Sequence, residues 1–368
     1  MKKVAFISNN IPLPEDLNGN TVNIINIIRE LKSRGFIIDY YLFSDNSDRD
    51  GLFVESFKKE VDSLIIGDHI SKYLFLLNYF WKKVKLDCPV FFCNFNTGFY
   101  YSRFISPLRV LYAADSISYQ YSKQKGLFAR FWQIKLLIEE KLLYRHFNKV
   151  IFVSPFDLAY SKLPEGQGVH IPIGYQLQEC DATKSNTKQF DLVFSGNYDY
   201  LPNQDAYEFF IKDIFPLLIQ KKPDIKVCFV GRNPGKTMLG IEESLKKNII
   251  ITGEVPSVFS YLFDSKIFIS PLRKGSGMKN KILQAMIAKL PIICSSESMT
   301  GITEFDKSSI FIANNAESFA EKILDLLSMT EPELKLIGLR NYDCFSSNYT
   351  WDAIVGKYYE PLLSSHIY

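Results

Sequence analysis

The sequence is short of the groups that announce a metal or redox centre. Its six cysteines, Cys88, Cys93, Cys180, Cys228, Cys294 and Cys344, include no C-x-x-C pair, and its four histidines, His69, His146, His170 and His366, have no ligand spacing. Neither a disulfide framework nor a structural zinc site is expected, and the thiols read as buried and reduced. No G-x-G-x-x-G dinucleotide fingerprint occurs. The run Gly231-Arg232-Asn233-Pro234-Gly235-Lys236-Thr237 has three residues between its glycines where a Walker A loop needs four. It reads as a loop lining a nucleotide crevice, with Arg232 placed to meet a phosphate. Asn46-Ser47-Asp48-Arg49-Asp50-Gly51 begins like a calcium loop, but Phe57 stands where the bidentate glutamate belongs. Its Asp48 and Asp50 form an isolated D-x-D, and the segment reads as a solvated turn.

Long apolar runs are missing too. Val4 to Ile7 stops at Ser8-Asn9-Asn10, too short for a signal peptide, and Tyr73 to Trp81 is interrupted by Asn78, far below the ~20 residues a membrane span needs. The cytoplasm is the expected compartment. Net charge is only +3, which argues against nucleic acid as a partner, but the charge is unevenly placed. Between Lys72 and Lys149 thirteen Lys and Arg face four acids, and Trp81 and Trp132 lie in the same stretch. Basic and aromatic residues together suit a membrane interface, so a peripheral position on the inner face of the cell membrane is expected.

What is present is an alternation of short β-rich runs with helical-period segments, the pattern of parallel sheets built from βαβ units. Strands are expected at Lys3–Ser8, Phe36–Phe43, Asp62–Ile66, Pro89–Cys93, Arg109–Ala113, Lys149–Val153 and Val169–Ile173, with a long helix over Tyr121–Phe147. A polar stretch, Gln178–Gln189, reads as a linker. The alternation then restarts with strands at Phe190–Phe194, Ile225–Val230, Asn248–Thr252, Lys266–Ser270 and Pro291–Cys294, and helices at Pro202–Gln220 and Met278–Lys289. The expected organisation is a first Rossmann-like domain over 1–176, a second over 177–345, and a C-terminal helix, 346–368, packing back on the first. Ligands of such sheets bind at the carboxyl ends of the strands.

Two loops carry candidate chemistry. The first follows the first strand and ends Asn18-Gly19-Asn20-Thr21 before an amphipathic helix, which makes Gly19 a place for a ligand to approach backbone amides; a plain N-cap turn is the competing reading. The second is Pro271 to Met286, a strand end, a Gly275-Ser276-Gly277 turn, and a helix whose first turn holds Lys279 and Lys281. Free amides, the helix dipole and two ammonium groups favour a phosphate there, and a diphosphate leaving group could be stabilised without a metal. A solvated lysine cluster is the competing reading.

These residues resemble the family-4 glycosyltransferases of the GT-B fold, and within them the bacterial sugar transferases of surface-polysaccharide assembly. The resemblance rests on Gly196 with Pro202-Asn203-Gln204-Asp205-Ala206, on Val230-Gly231-Arg232, on Thr252-Gly253-Glu254-Val255, and on Gly275-Ser276-Gly277 through Lys281, Ala285-Met286 and Pro291. It implies an α/β architecture of two Rossmann-like doubly wound domains facing across a cleft. It also implies retaining, metal-independent transfer from a nucleoside-diphosphate sugar, UDP- or GDP-linked, to a glycan or lipid-linked saccharide in O-antigen, capsule, lipopolysaccharide or exopolysaccharide synthesis. No cofactor beyond that donor is implied. On this resemblance Arg232, Lys281 and Asp115 are catalytic. Gly19, Gly196, Asn197, Val255, Arg273, Gly275, Ser276, Gly277, Met278, Lys279 and Gln284 bind the donor, with Val255 near the base. An N-cap role competes at Asp115. The chain departs from the family where two glutamates eight positions apart are replaced by Ser276 and Gln284, and where the Arg and Lys after the second domain's first strand give way to Asn197–Leu201. A nucleotide-sugar epimerase of this shape, or a non-catalytic scaffold, are the alternatives.

Overall fold

The computed structural model describes residues 2–11, 19–43, 54–67, 83–122, 124–176, 188–240, 242–275 and 277–364. The Asn46–Gly51 turn, the Tyr73–Trp81 run, Ser276 and nearly all of the expected linker lie outside the described residues. The chain divides into two compact units, Met1–Gly174 with Trp351–Tyr368, and Tyr175–Thr350. A boundary at 345/346 would cut the helix Glu331–Asn348, whose Phe345 is fully buried in the second unit's core together with Tyr349.

In the first unit the described strands β1 (Lys3–Ser8), β2 (Ile37–Phe43), β3 (Ser63–Gly67), β4 (Val90–Phe92), β5 (Arg109–Ala114), β6 (Lys149–Phe152) and β7 (Gly168–His170) form one sheet in the order β3-β2-β1-β4-β5-β6-β7. All its pairings are parallel, with Lys3 opposite Ile37 and Ala5 opposite Val90. Such strands are covered on both faces, which is why Val4 to Ile7 and Val90 to Phe92 are apolar without alternation and fully buried. Helix α1 (Gly19–Ser33) covers one face with Ile24, Ile25, Ile27, Ile28 and Leu31. The expected helix over 121–147 is two elements, α2 (Ile117–Ser122) and α3 (Leu127–Tyr144), separated at Gly126, whose φ of 111° no L side chain adopts readily.

The C-terminal segment completes this unit. It is helical from Trp351 to Ser364 and buries Trp351, Ile354, Val355, Tyr359 and Leu363 in the core that α1 also lines. Glu360 accepts from Lys2 Nζ (2.7 Å) and Arg34 Nη1 (3.0 Å).

The second unit repeats the plan. Strands β8 (Phe190–Ser195), β9 (Val227–Val230), β10 (Ile249–Ile251), β11 (Ser265–Ser270), β12 (Ile292–Cys294) and β13 (Ile310–Ile312) run parallel in the order β10-β9-β8-β11-β12-β13. In both sheets the first strand sits between the second and the fourth, so the order reverses there, the doubly wound Rossmann arrangement that opens a crevice at the carboxyl ends. Helices α4 (Leu201–Phe209), α5 (Asn280–Ile287) and α6 (Glu331–Asn348) flank the sheet. Among the described residues no helix is long and apolar enough to cross a membrane.

Candidate nucleotide-binding site

The crevice of the second sheet is built first by two glycines. Gly196 follows β8 and Gly231 follows β9, and Gly231 has a φ of 141°; a Cβ on it would lie 1.8 Å from the Gly196 carbonyl oxygen. Only glycine lets these two strand ends meet backbone to backbone. Above them opens a cavity of about 460 Å³, a size that suits a small-molecule ligand. Its wall is formed at the ends of four strands by Ser195, Gly196, Asn197, Arg232, Glu254, Val255 and Leu272, with Tyr200, Asn203 and the start of α5.

Lys281, in the first turn of α5, supplies the charge. Its Nζ donates to Asn203 Oδ1 (2.7 Å) and lies 4.0 Å from the centroid of Phe194, so both partners are neutral. Asn203 is 5% exposed and donates in turn to the Asn197 carbonyl (2.7 Å), which fixes the amide so that its oxygen faces the lysine. A Cβ on Gly196 would lie 2.8 Å from Asn203 Nδ2 and 3.3 Å from Lys281 Nζ, so the missing side chain is what admits both groups. Desolvation, and secondarily the Lys279 charge, push the Lys281 ammonium well below its ordinary pKa. Lys279 is itself 7% exposed and caps the turn by donating to the Gly277 carbonyl (2.8 Å). Gln284, one turn further along α5, donates to Tyr175 Oη (2.9 Å).

A pocket that holds a desolvated cation against neutral dipoles, beside a second ammonium and the first amides of a helix, is made for an anion. The apolar lining from Val255, Val258 and Leu272 gives it an amphipathic character.

Of the residues singled out from sequence, Gly196, Asn197, Arg232, Val255, Met278, Lys279, Lys281 and Gln284 line this cavity together. Gly275 and Gly277 form the turn around Lys279, with φ of 151° and 66°. Ser276 lies outside the described residues. Arg273 does not join them: its guanidinium makes a bidentate pair with Asp205 (2.9 and 3.0 Å) and lies over Phe209 at 4.8 Å, while Lys274 reaches the same carboxylate at 3.1 Å. These pairs hold Asp205 below its usual range against the burial that raises it. Sequence reading did not assign Ser195, Tyr200, Asn203, Glu254, Val258, Leu272 and Asn280 to the site; for Asn203 the signal was its place in the Pro202–Ala206 run that carries the family resemblance.

The two first-unit candidates sit elsewhere in the chain. Gly19 is the first residue of α1. Asp115 follows β5 directly, after Ala114 in the left-handed region at φ 61°. The Tyr119 amide is taken by Ser116 Oγ (3.2 Å), so the capping role left open for Asp115 belongs to Ser116.

Residues 189–329 match the family model described as "Glycosyl transferases group 1", a stretch that lies within the second unit. A Klebsiella pneumoniae protein described as an uncharacterized 44.6 kDa protein in the cps region is 25% identical over 217 residues, 55% of this chain; the match spans about half the length of that relative. Among solved structures, Anabaena HepE in complex with UDP superposes with a TM-score of 0.65 at 13% identity, covering 99% of this chain and 100% of that one. A glycosyltransferase from Rickettsia africae gives 0.63 at 16%, covering 100% and 99%. The fold is GT-B. At these identities the structural likeness concerns the fold, and the family match concerns the GT-B chain's second unit.

Proposed function

We propose that the chain is a glycosyltransferase that moves a sugar from a nucleoside-diphosphate sugar to a hydroxyl of a glycan or lipid-linked saccharide. The observation that carries this reading is the Lys281 ammonium, held desolvated against Asn203 and Phe194 in the crevice of a Rossmann-like sheet. The match to group 1 glycosyltransferases supports transfer over an epimerase or a scaffold. In this reading the pyrophosphate lies on the first turn of α5, where Lys281, Lys279, Arg232 and the helix amides take up the charge that develops as its bond to the sugar breaks. The cationic side chains match the leaving group in charge, so the reaction is proposed to run without a metal. The ribose lies toward Gln284, whose amide can donate and accept without a carboxylate's charge, and the base toward Val255, Val258 and Leu272.

Retention follows if the acceptor hydroxyl attacks from the face the pyrophosphate leaves; no side chain stands out as a nucleophile. Asp115 is the proposed acceptor-side acid, and Gly19 the proposed backbone approach to the donor phosphate. HepE has been crystallised with UDP and with UDP-glucose, which makes a UDP-sugar the first donor to test, and the cps-region relative supports a role in capsule or related surface polysaccharide. The inner face of the cell membrane is the proposed place of action.

Titration calorimetry with UDP, GDP and dTDP, followed by transfer from the labelled UDP-sugar to membrane lipid extract, tests the proposal. Saturable binding of one nucleoside diphosphate, weakened at least tenfold in Lys281→Ala, is the expected result. Binding unchanged by that substitution would refute the site; conversion of the donor with no acceptor present would refute transfer.

A further inference from the structure

The surface of the first unit carries an anomaly that the donor site does not use. Helix α3 is apolar on two faces. Its inner face buries Ala129, Leu136, Leu143 and Tyr144. Its outer face leaves Leu127 89%, Phe128 73%, Phe131 63%, Ile134 51%, Ile138 53% and Leu142 51% exposed. At 100° per residue these six project within about a third of the helix circumference, along a rod of about 27 Å. Single exposed apolar residues are ordinary, but a continuous stripe of six marks a contact surface.

The rims of the stripe identify the occupant. Residues 125–145 hold five basic side chains, Lys125, Arg130, Lys135, Lys141 and Arg145, and two acids. One of those acids, Glu140, is buried on the inner face, and the other, Glu139, lies 3.6 Å from Lys135. Trp132 stands at the edge of the stripe against the edges of Phe128 and Phe131, with Lys135 Nζ 4.4 Å from its ring. We propose that the outer face of α3 docks on an anionic lipid surface, the helix axis lying parallel to the bilayer, with its phenylalanines at the depth of the acyl boundary and its cations at the headgroups. A second copy of the chain is a poorer occupant, because it would bring the same five cations against these.

The inner face gives this docking a consequence. Glu140 accepts from Ser118 Oγ (2.6 Å), Ser116 Oγ (3.0 Å) and the Ser118 amide (3.0 Å), and so ties the turn that follows Asp115 to the same helix. Where Asp115 is the acceptor-side acid, a point that rests on the glycosyltransferase reading, a docked α3 holds that turn near the lipid surface and favours a lipid-borne acceptor.

Sedimentation with sucrose-loaded vesicles tests the surface without any donor or acceptor, so its failure is separable from failure of the transfer reading. The full chain is expected to pellet with vesicles containing phosphatidylglycerol, far less with pure phosphatidylcholine, and less at high salt. Phe128→Ser with Phe131→Ser should lower the bound fraction constant at least tenfold. Arg130→Glu with Lys141→Glu should abolish the preference for phosphatidylglycerol. A first-unit melting transition at the wild-type temperature in differential scanning calorimetry shows that the variants are folded. The proposal is overturned if the wild-type chain stays in the supernatant, if the serine variant pellets like wild type, or if the serine substitutions only dissociate a dimer seen by sedimentation velocity.

Discussion

In the proposed function donor binding turns on the Lys281 ammonium, and its environment gives the pH dependence a sign. Burial and Lys279 depress its pKa in the ligand-free pocket, and a bound pyrophosphate reverses that by supplying the missing counter-charge. The protonated form binds the anion. Affinity for UDP should therefore be greatest below the depressed pKa and decline as pH rises through it, with protons taken up on binding in that window. Calorimetry across pH in two buffers of different ionisation enthalpy measures both; a flat affinity with no proton uptake contradicts the assignment. Gly231 offers a steric test. With a φ of 141° and the Gly196 carbonyl where its Cβ would sit, Gly231→Ala should cost ~3 kcal/mol or more, read as a lowered denaturation midpoint. Arg273 shows where sequence proximity misleads: it adjoins the glycine turn, yet Asp205, far upstream on α4, captures it in a bidentate pair.

At the scale of elements, the buried strands were legible because parallel strands covered on both faces are continuous Val, Ile and Phe runs of the right length. Strand β13, Ile310–Ile312, was not among the strands expected, and the break between α2 and α3 escaped because one glycine at φ 111° decides it. The lysine turn of α5 could be read locally, since amides, dipole and charge lie within a few residues. Its meeting with Asn203, Glu254, Tyr200 and Leu272 could not, because the fold gathers these residues from places far apart in sequence. Helix α3 adds a prediction of its own. Glu140 is a carboxylate 1% exposed, and desolvation raises its pKa in spite of the serine hydrogen bonds. A folded-state pKa above the unfolded value means that the native state loses relative stability as pH rises from the unfolded value, about 4.3, through the raised one. In Glu140→Gln the amide oxygen can keep the Ser118 amide bond while both hydroxyls rotate to accept from its NH₂. The melting temperature of the variant relative to wild type should rise steadily over that window. A constant difference between pH 4 and pH 8 would show that Glu140 titrates alike in both states.

For the whole molecule, the chain path makes the first unit depend on its last residues. After finishing the second unit at Thr350, the chain returns to the first and inserts Trp351, Ile354, Val355, Tyr359 and Leu363 into its core, all at most 6% exposed. Gly174 is shaped for this: a Cβ there would lie 2.5 Å from the Trp351 ring. Each such side chain contributes about 1.5–3 kcal/mol, and together they match a typical total of ~5–15 kcal/mol for a domain. A chain ending at Thr350 should therefore lose the first unit's melting transition while keeping a second unit whose core and cavity contain none of the deleted residues. Differential scanning calorimetry should show one transition that still shifts upward with UDP, by an amount set by ligand concentration over Kd, in place of the two-unit profile. If instead both transitions vanish together, the two units fold as one cooperative block and the donor site owes its stability to the first unit's core.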